Sequence, residues 1–337
     1  MFLVIYHHVL FSTFEAGGVT WSISNIFLTF RMPLFFFLSG FLMYKAGRFK
    51  DAGSLFTFLQ KKAMVQLLPT LIFSLLYVII LTVSYKSLLF DKAKSGYWFT
   101  YTLFFYFLIY SAGDFFIGRV AHGKVKILIG AVTSCLIYAF AKFSLSPSCP
   151  WFDNPVNGII GFANFQYFLF FYAGALARSC FGRIERFLQD EKVLTGIIVG
   201  FVLIQLALQL PQSRELIMEK GSYSAYSLLK TVSGFFGIAT VFAFFRKNEA
   251  AVQHSRTGRF LQYIGTRTLD IYLIHLILIH TDMRFVGDFL SRNGSFICEL
   301  LCGVSVSMVI IGLCLLISSV IRCSDTLAKL LFGKVVK

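Results

Sequence analysis

The chain has little charge for its length. Charged residues make up 14% of the 337 residues, whereas hydrophobic residues make up 57%, and mean hydropathy is +0.75. A soluble domain of this size needs far more charge to cover its surface. The composition therefore excludes an ordinary soluble protein and favours one that is embedded in a membrane.

Two further signals are missing. The seven cysteines form neither a C-x-x-C pair nor a Cys/His spacing typical of a metal site, so we expect no metal. The sequence also lacks a repeat of about 20–50 residues, the period of repeat architectures, and an obvious inverted pair of broken helices. Secondary transporters are often built from internal repeats, which lowers the case for a transporter.

Long apolar runs recur along the whole chain, and crossing a bilayer takes about 20 such residues. They predict an all-α, polytopic transmembrane bundle of about ten spans, forming a single integral-membrane domain over 1–337 with no appended soluble domain. The opening run is too short to cross and is read as a truncated first span. The runs are 2–14, 24–44, 64–84, 97–117, 126–145, 157–177, 193–211, 226–245, 268–281 and 297–321.

The net charge of +15 reads as a topology signal, so we expect no nucleic-acid partner. With ten spans and both termini cytoplasmic, the inner loops and tail hold 20 Lys and Arg residues, and the outer loops hold nine. This bias agrees with the positive-inside rule. We therefore expect a multi-pass protein of the cell membrane with both ends in the cytoplasm.

Two adjacent histidines, His7 and His8, are the only side chains between Phe2 and Phe14 that titrate near neutral pH. An ionisable group at membrane depth is costly and usually functional. A neutral imidazole is a good proton acceptor because its ordinary pKa is near neutrality. The alternative is that one or both cap a helix end or bond to a neighbouring carbonyl.

A second candidate site lies in the segment RMPLFFFLSGF, which begins at Arg31. Arg31 either holds a substrate hydroxyl or a developing oxyanion, or extends to the outer surface along its apolar stem. Ser39 and Gly40 are small and predict the close approach of a neighbouring helix.

A third segment, YIGTRTLDIYLIH, ends at His275. Arg267 and Asp270 are three residues apart, so they can pair on one helix face. Thr266 or Thr268 is expected to cap a new helix. His275 and His280 point about 140° apart around a helix, which argues against a two-histidine metal site.

These segments resemble the acyltransferase 3 family of bacterial integral-membrane acyltransferases. The matching segments are LVIYHHV, RMPLFFFLSGF, KKAMVQLLP, GYWFTYTLF, YFLFFYAGAL and YIGTRTLDIYLIH, which occur in this order over most of the chain. The ten expected spans also agree with the family. The resemblance implies an enzyme of the bacterial plasma membrane that acylates a hydroxyl group.

The resemblance implies an acyl-CoA donor, usually acetyl-CoA, arriving from the cytoplasm, and a cell-surface or exported glycan as acceptor. It makes His8 the key catalytic group, with His7 as the alternate if the register differs by one, and we add Arg31 as a stabiliser of the oxyanion. The expected substrate contacts are Ser39, Asp270, His275 and Trp151. The expected donor-phosphate contacts are Lys61, Lys62 and Arg178, and the equal alternative for the two lysines is that they are ordinary cytoplasmic charges.

Other readings remain open. The family places an arginine upstream of the histidine, whereas this sequence begins at Met1, so we expect that the start is truncated. A transporter or flippase for a lipid-linked sugar, and a non-catalytic truncated relative, are the alternatives to the enzyme. The acceptor, the length of the acyl chain and the oligomeric state are not specified by the sequence.

Overall fold

The computed structural model describes residues 1–15, 23–91, 93–121, 123–144, 155–210, 223–280, 282–293 and 296–333. These residues form helices and connecting turns and contain no strand. The α-helices are α1 Phe2–His8, α2 Ile23–Met43, α3 Ala52–Lys62, α4 Leu68–Ile80, α5 Tyr85–Phe90, α6 Trp98–Val120, α7 Gly123–Phe143, α8 Pro155–Ile160, α9 Phe168–Ser179, α10 Phe181–Gln189, α11 Glu191–Gln209, α12 Tyr223–Lys247, α13 Glu249–His254, α14 Arg256–Thr266, α15 Thr268–Leu278, α16 Arg284–Asn293, α17 Phe296–Ile321 and α18 Asp325–Phe332. The all-α prediction is confirmed.

Within the described part of the chain, seven helical segments are long and apolar enough to cross a membrane. They are Ser24–Met43, Ala52–Ile80, Trp98–Val120, Gly123–Phe143, Glu191–Gln209, Ala225–Lys247 and Phe296–Ile321. The outer faces agree with this, because Leu128 and Leu136 of α7 are 63% and 65% exposed. Apolar faces of this kind are suited to lipid. The protein is a multi-pass membrane protein.

The other three predicted spans are shorter or interrupted. Runs 2–14 and 268–281 correspond to the short apolar helices Phe2–Thr13 and Thr268–Leu278. Run 157–177 is broken into α8, a 3₁₀ segment and α9, because Gly161 adopts a positive φ of 73° that ends α8.

The start of α15 differs from the prediction. The backbone leaves the helical conformation at Arg267, and Thr266 and Thr268 donate their hydroxyls to carbonyls of α14. The expected threonine cap on the new helix is therefore wrong, because these hydroxyls satisfy the open carbonyls at the end of α14 instead.

The contacts divide the chain into two compact units. The first unit comprises Met1–Phe35 and Cys180–Leu315, and the second comprises Phe36–Ser179 and Leu316–Lys337. Helices α2 and α17 contribute residues to each. A single acyltransferase domain over 1–337 stays a prediction.

In the first unit, buried polar side chains join three helices. Nε2 of Gln205 in α11 donates to Oγ1 of Thr29 in α2 at 2.6 Å and to Oγ of Ser233 in α12 at 3.1 Å. Such hydrogen bonds hold helices together where water is absent. The ring of Phe30 also lies against Gly237, where an added Cβ would overlap it.

The second unit is packed around aromatic rings. Phe36 is fully buried, and its ring centroid lies 4.9 Å from those of Phe99 and Tyr106 and 5.4 Å from that of Tyr167. Helices α2 and α9 approach so closely at Gly40 that an added Cβ would overlap the backbone of Phe171. The predicted close approach at the small residues of α2 is thus present.

A buried lysine lies in the loop before α6. Nζ of Lys94 donates to the carbonyl oxygen of Gly158 at 2.6 Å. Burial lowers the pKa of this ammonium group, and the nearby Asp91 carboxylate opposes the shift.

Candidate active site

The first helix of the chain lies against α17 in the first unit. The hydroxyl of Tyr6 donates to Oε1 of Glu299 at 3.4 Å, and both residues are buried. One helical turn further along α17, the Tyr6 ring lies over Gly303, where any added Cβ would meet it. These contacts fix the rotation of α1 and hence the direction of its two histidines.

The chain after α1 is fixed at its other end. Val9–Thr13 forms a π-helical turn, a feature that is frequent at functional sites. Oγ1 of Thr13 donates to the carbonyl oxygen of Ile279 at 2.8 Å, and the backbone N–H of Met283 donates to the Thr13 carbonyl at 3.0 Å. His8 thus lies between two anchored points.

His8 faces the interior of the first unit. Its ring centroid is 5.5 Å from that of His275 in α15, and the two planes are inclined by 53°. His275 is fully buried, so the contact directs the half-buried His8 ring inward. The structure brings these two predicted site residues together across 267 positions of sequence.

The tautomer of His275 follows from its hydrogen bonds. Its Nδ1 lies 2.7 Å from the carbonyl oxygen of Tyr272 and 3.1 Å from that of Ile271. A carbonyl only accepts, so Nδ1 carries the proton in the neutral ring. Nε2 is then an acceptor, and it is buried without a hydrogen-bond partner in the described part of the chain. A buried polar atom of this kind is suited to a ligand.

His7 points in a different direction. Its Nδ1 lies 2.8 Å from Oγ of Ser24 at the start of α2, a hydrogen bond whose donor depends on the tautomer. The His7 ring also contacts that of Phe11, with centroids 4.4 Å apart. His7 is therefore engaged by its own helix and α2, whereas His8 contacts α15.

Arg31 in α2 is a buried cation of the same unit. It is 8% exposed, which disagrees with the alternative that it extends to the outer surface. Arg267 and Asp270 form the expected ion pair, with Nη1 and Oδ2 3.5 Å apart and Asp270 almost fully buried.

A family model described as an acyltransferase domain, Acyl_transf_3, matches residues 1–320. The chain belongs to this acyltransferase family. Neither the curated proteins nor the solved structures compared with the chain give a match. The protein is thus a membrane acyltransferase, and the family match includes His8, Arg31 and His275, here called the histidine cluster.

The remaining predicted residues of the acyltransferase lie elsewhere. Ser39 lies in the part of α2 that belongs to the second unit. Lys61 and Lys62 end α3, where Nζ of Lys62 lies 4.0 Å from the ring centroid of Phe107. Arg178 is exposed near the end of α9, with its guanidinium over the ring of Phe41. Trp151 lies outside the described residues.

Sequence reasoning missed Glu299. This carboxylate is 3% exposed and lies in the first turn of α17. It falls within the predicted run 297–321, so the rule that pointed to His7 and His8 applies to it equally. Its hydrogen bond with Tyr6 connects Glu299 to the first helix, which carries His8 of the histidine cluster.

Among the residues that the structure describes, no group of three or more His, Cys, Asp or Glu side chains is arranged to hold a metal ion. The expectation that the acyltransferase uses no metal stays a prediction. The imidazoles of His8 and His275 accept protons, and the guanidinium of Arg31, buried in the same unit, stabilises anions.

Proposed function

We propose that this acyltransferase moves an acetyl group from acetyl-CoA to a hydroxyl of a cell-surface or exported glycan. Membership of the family supports acyl transfer. The observation that carries the proposal further is the contact of His8 with the buried His275 ring, in the unit that also buries Arg31. This combination supplies both a base and a cation.

In the proposed reaction, a ring nitrogen of His8 accepts the proton of the acceptor hydroxyl while the oxygen attacks the thioester carbonyl. The new C–O bond forms, and the tetrahedral intermediate then loses the CoA sulfur. The proton on His8 passes to that thiolate, which leaves as CoA thiol. General-base assistance of this kind is typically worth about 10²–10⁴-fold in rate.

Arg31 is the proposed stabiliser of the oxyanion. Negative charge develops on the carbonyl oxygen as the hydroxyl attacks, and a preorganised cation in a dry site stabilises that charge strongly. Burial of Arg31 keeps its guanidinium out of bulk water.

His275 has a complementary role in the proposal. Since its Nδ1–H is occupied by backbone carbonyls, its Nε2 offers a lone pair and cannot donate to an oxyanion in the neutral ring. It is suited to accept a hydrogen bond from the acceptor substrate beside His8. Asp270, held by Arg267 at the start of the same helix, is a further proposed substrate contact.

The proposed route of the donor follows from the membrane topology that the Lys and Arg bias predicts. Acetyl-CoA would arrive from the cytoplasm, and its phosphates would bind Lys61, Lys62 and Arg178. The glycan would arrive from the opposite face, where Trp151 would contact it. The cell membrane, with both termini in the cytoplasm, is the proposed location.

The test is to express the full chain and to supply membranes with acetyl-CoA labelled in the acetyl group. We expect label in ester linkage to a glycan, released by mild base, and none in membranes without the protein. Label that stays in acetyl-CoA, together with movement of a lipid-linked sugar across the membrane, would instead support the transporter and contradict the proposal.

A further inference from the structure

The second unit contains a cavity of about 280 Å³ between α6, α7 and α9. Its volume is at the low end of the range of about 300–1,000 Å³ seen for small-molecule sites. Most of its lining is apolar, including Ile109, Ile117, Phe168 and Leu176. The histidine cluster contributes none of its lining residues.

The cavity extends along the helix axes. Its lining residues in α9 extend from Phe168 to Ser179, which spans about 16 Å at about 1.5 Å per residue. Helices α7 and α9 run antiparallel beside it, because Nζ of Lys142 donates to Oε1 of Gln166 while the hydroxyl of Tyr172 donates to the Ile127 carbonyl. We call this cavity between α6, α7 and α9 the slot, and its length suits a linear ligand.

The polar lining groups lie mostly at one end of the slot. Tyr44 follows the last residue of α2, Lys126 lies in the first turn of α7 and Ser179 ends α9. Nζ of Lys126 is 2.6 Å from Oδ1 of Asp114, so this ion pair also marks the polar end.

Exposed cations lie next to the polar end in sequence. Lys45 follows Tyr44, Lys124 precedes Lys126 by two residues, and Arg178 precedes Ser179. Asp114 pairs with Lys126, and the three exposed cations add positive charge that attracts an anionic head. All of them lie in or next to stretches that the charge bias assigns to the cytoplasmic side.

We infer that this slot binds a linear acyl chain whose phosphate-bearing head lies at the Asp114–Lys126 end. A membrane phospholipid and a long-chain acyl-CoA both have this chemistry. The inference does not depend on the proposed reaction, because binding is scored without transfer.

Gly113 allows the slot to be filled selectively. It lines the cavity, and an added Cβ there would meet only the tip of Ile117, at 3.9 Å. Gly113→Leu therefore adds a Cβ and three further side-chain carbons in the slot without a backbone clash. Gly196→Leu is the matched control, since an added Cβ at Gly196 in α11 of the first unit meets nothing within 4 Å.

The experiment uses the full chain in lipid nanodiscs and two photoreactive probes. One arm carries a phosphatidylethanolamine with a diazirine at the end of one acyl chain, and the other receives a palmitoyl-CoA with the same group. After illumination, peptides are mapped by mass spectrometry. The arm that labels the slot identifies the source of the chain.

We expect adducts on slot-facing residues such as Ile109 and Phe168 in at least one arm. Gly113→Leu should lower their yield about tenfold, since overfilling a packed site costs about 1–3 kcal/mol, and Gly196→Leu should leave it unchanged. If Gly113→Leu does not fold, Thr133→Leu narrows the other end of the slot. Equal slot labelling in the wild type and the filled variant, or labelling only of outward residues such as Leu128 in both arms, would overturn the inference.

Discussion

The two units differ in what they bury. The first unit buries Arg31, Asp270, His275 and Glu299 within its helices, whereas the second buries a set of aromatic rings around Phe36, and its buried lysine, Lys94, lies in a loop. A charged group in a membrane interior is expensive and usually functional, whereas packed rings mainly stabilise the fold. The comparison predicts that substitutions in the first unit affect chemistry, and that those in the second affect stability.

The largest effect is expected at His8. His8→Ala removes the proposed base and should lower acylation by about 10²–10⁴-fold, while the amount of inserted protein stays the same. His7→Ala is the matched control, because His7 bonds to Ser24 and not to the His275 helix. The measurement is ester-linked acetyl per molecule of purified protein, and an equal loss in both variants would contradict the assignment of His8.

Arg31→Met should have the next largest effect. Removing a preorganised stabiliser of an oxyanion costs about 10²–10³-fold in kcat, and little of this should appear in KM. Arg178→Met is the comparison, because loss of this exposed cation, a proposed donor-phosphate contact, should raise KM for acetyl-CoA and leave kcat unchanged. If both variants raise KM and leave kcat unchanged, Arg31 binds the donor and does not stabilise the oxyanion.

Phe36→Ala reverses the comparison, because it should reduce stability and spare the chemistry. We expect a loss of about 3 kcal/mol, the low end for a buried Phe→Ala change, since lipid and not water surrounds the helices. Acylation per folded molecule should stay at the wild-type level. Thermal unfolding in detergent measures the loss, with the lipid-facing Leu128→Ala as the control.

Removing one tyrosine hydroxyl from each unit compares the two units by the same chemical change. Tyr6→Phe removes the donor to Glu299, and Tyr172→Phe removes the donor to the Ile127 carbonyl. Each should cost about 0.5–1.5 kcal/mol of stability. Only Tyr6→Phe should also lower acylation, because Tyr6 fixes the rotation of the helix that carries His8. Equal acylation by the two variants would contradict this.

The smallest expected effect is the contribution of Lys94 to the pH dependence of stability. Burial lowers the pKa of its ammonium group in the folded chain, so between the folded and unfolded values the unfolded chain holds more protons. Stability should therefore rise with pH in that alkaline range. Lys94→Met should lose this rise, measured as the change in Tm between neutral and alkaline pH for each protein. The pH-independent loss of the Gly158 hydrogen bond cancels in that difference.

Local sequence patterns predicted those features that depend on neighbours in the chain. The Arg267–Asp270 pair follows from a three-residue spacing on a helix, and α7 follows from a single long apolar run. Gly161 was harder to interpret, because a glycine within an apolar run is compatible with a helix until its φ is known. The position of Glu299 relative to Tyr6 depends on how α17 packs against α1. Residue spacing in the sequence carries no information about that packing.

For the same reason, only part of the candidate site could be predicted from the sequence. His8 and His275 were both singled out, as an intramembrane histidine and as part of a motif. Their contact arises from packing between α1 and α15, across a sequence separation that no periodicity spans. The assigned tautomer of His275 likewise depends on the rotamer that brings Nδ1 to the Tyr272 carbonyl.

The central claim is that His8 takes the proton of the acceptor hydroxyl, and restoring that base from solution tests it most directly. The purified His8→Gly protein, given labelled acetyl-CoA and acceptor, is assayed with and without added imidazole. The account predicts a loss of about 10²–10⁴-fold that imidazole partly restores, with no such restoration in Arg31→Met. Transfer by His8→Gly at the wild-type rate without imidazole would contradict it.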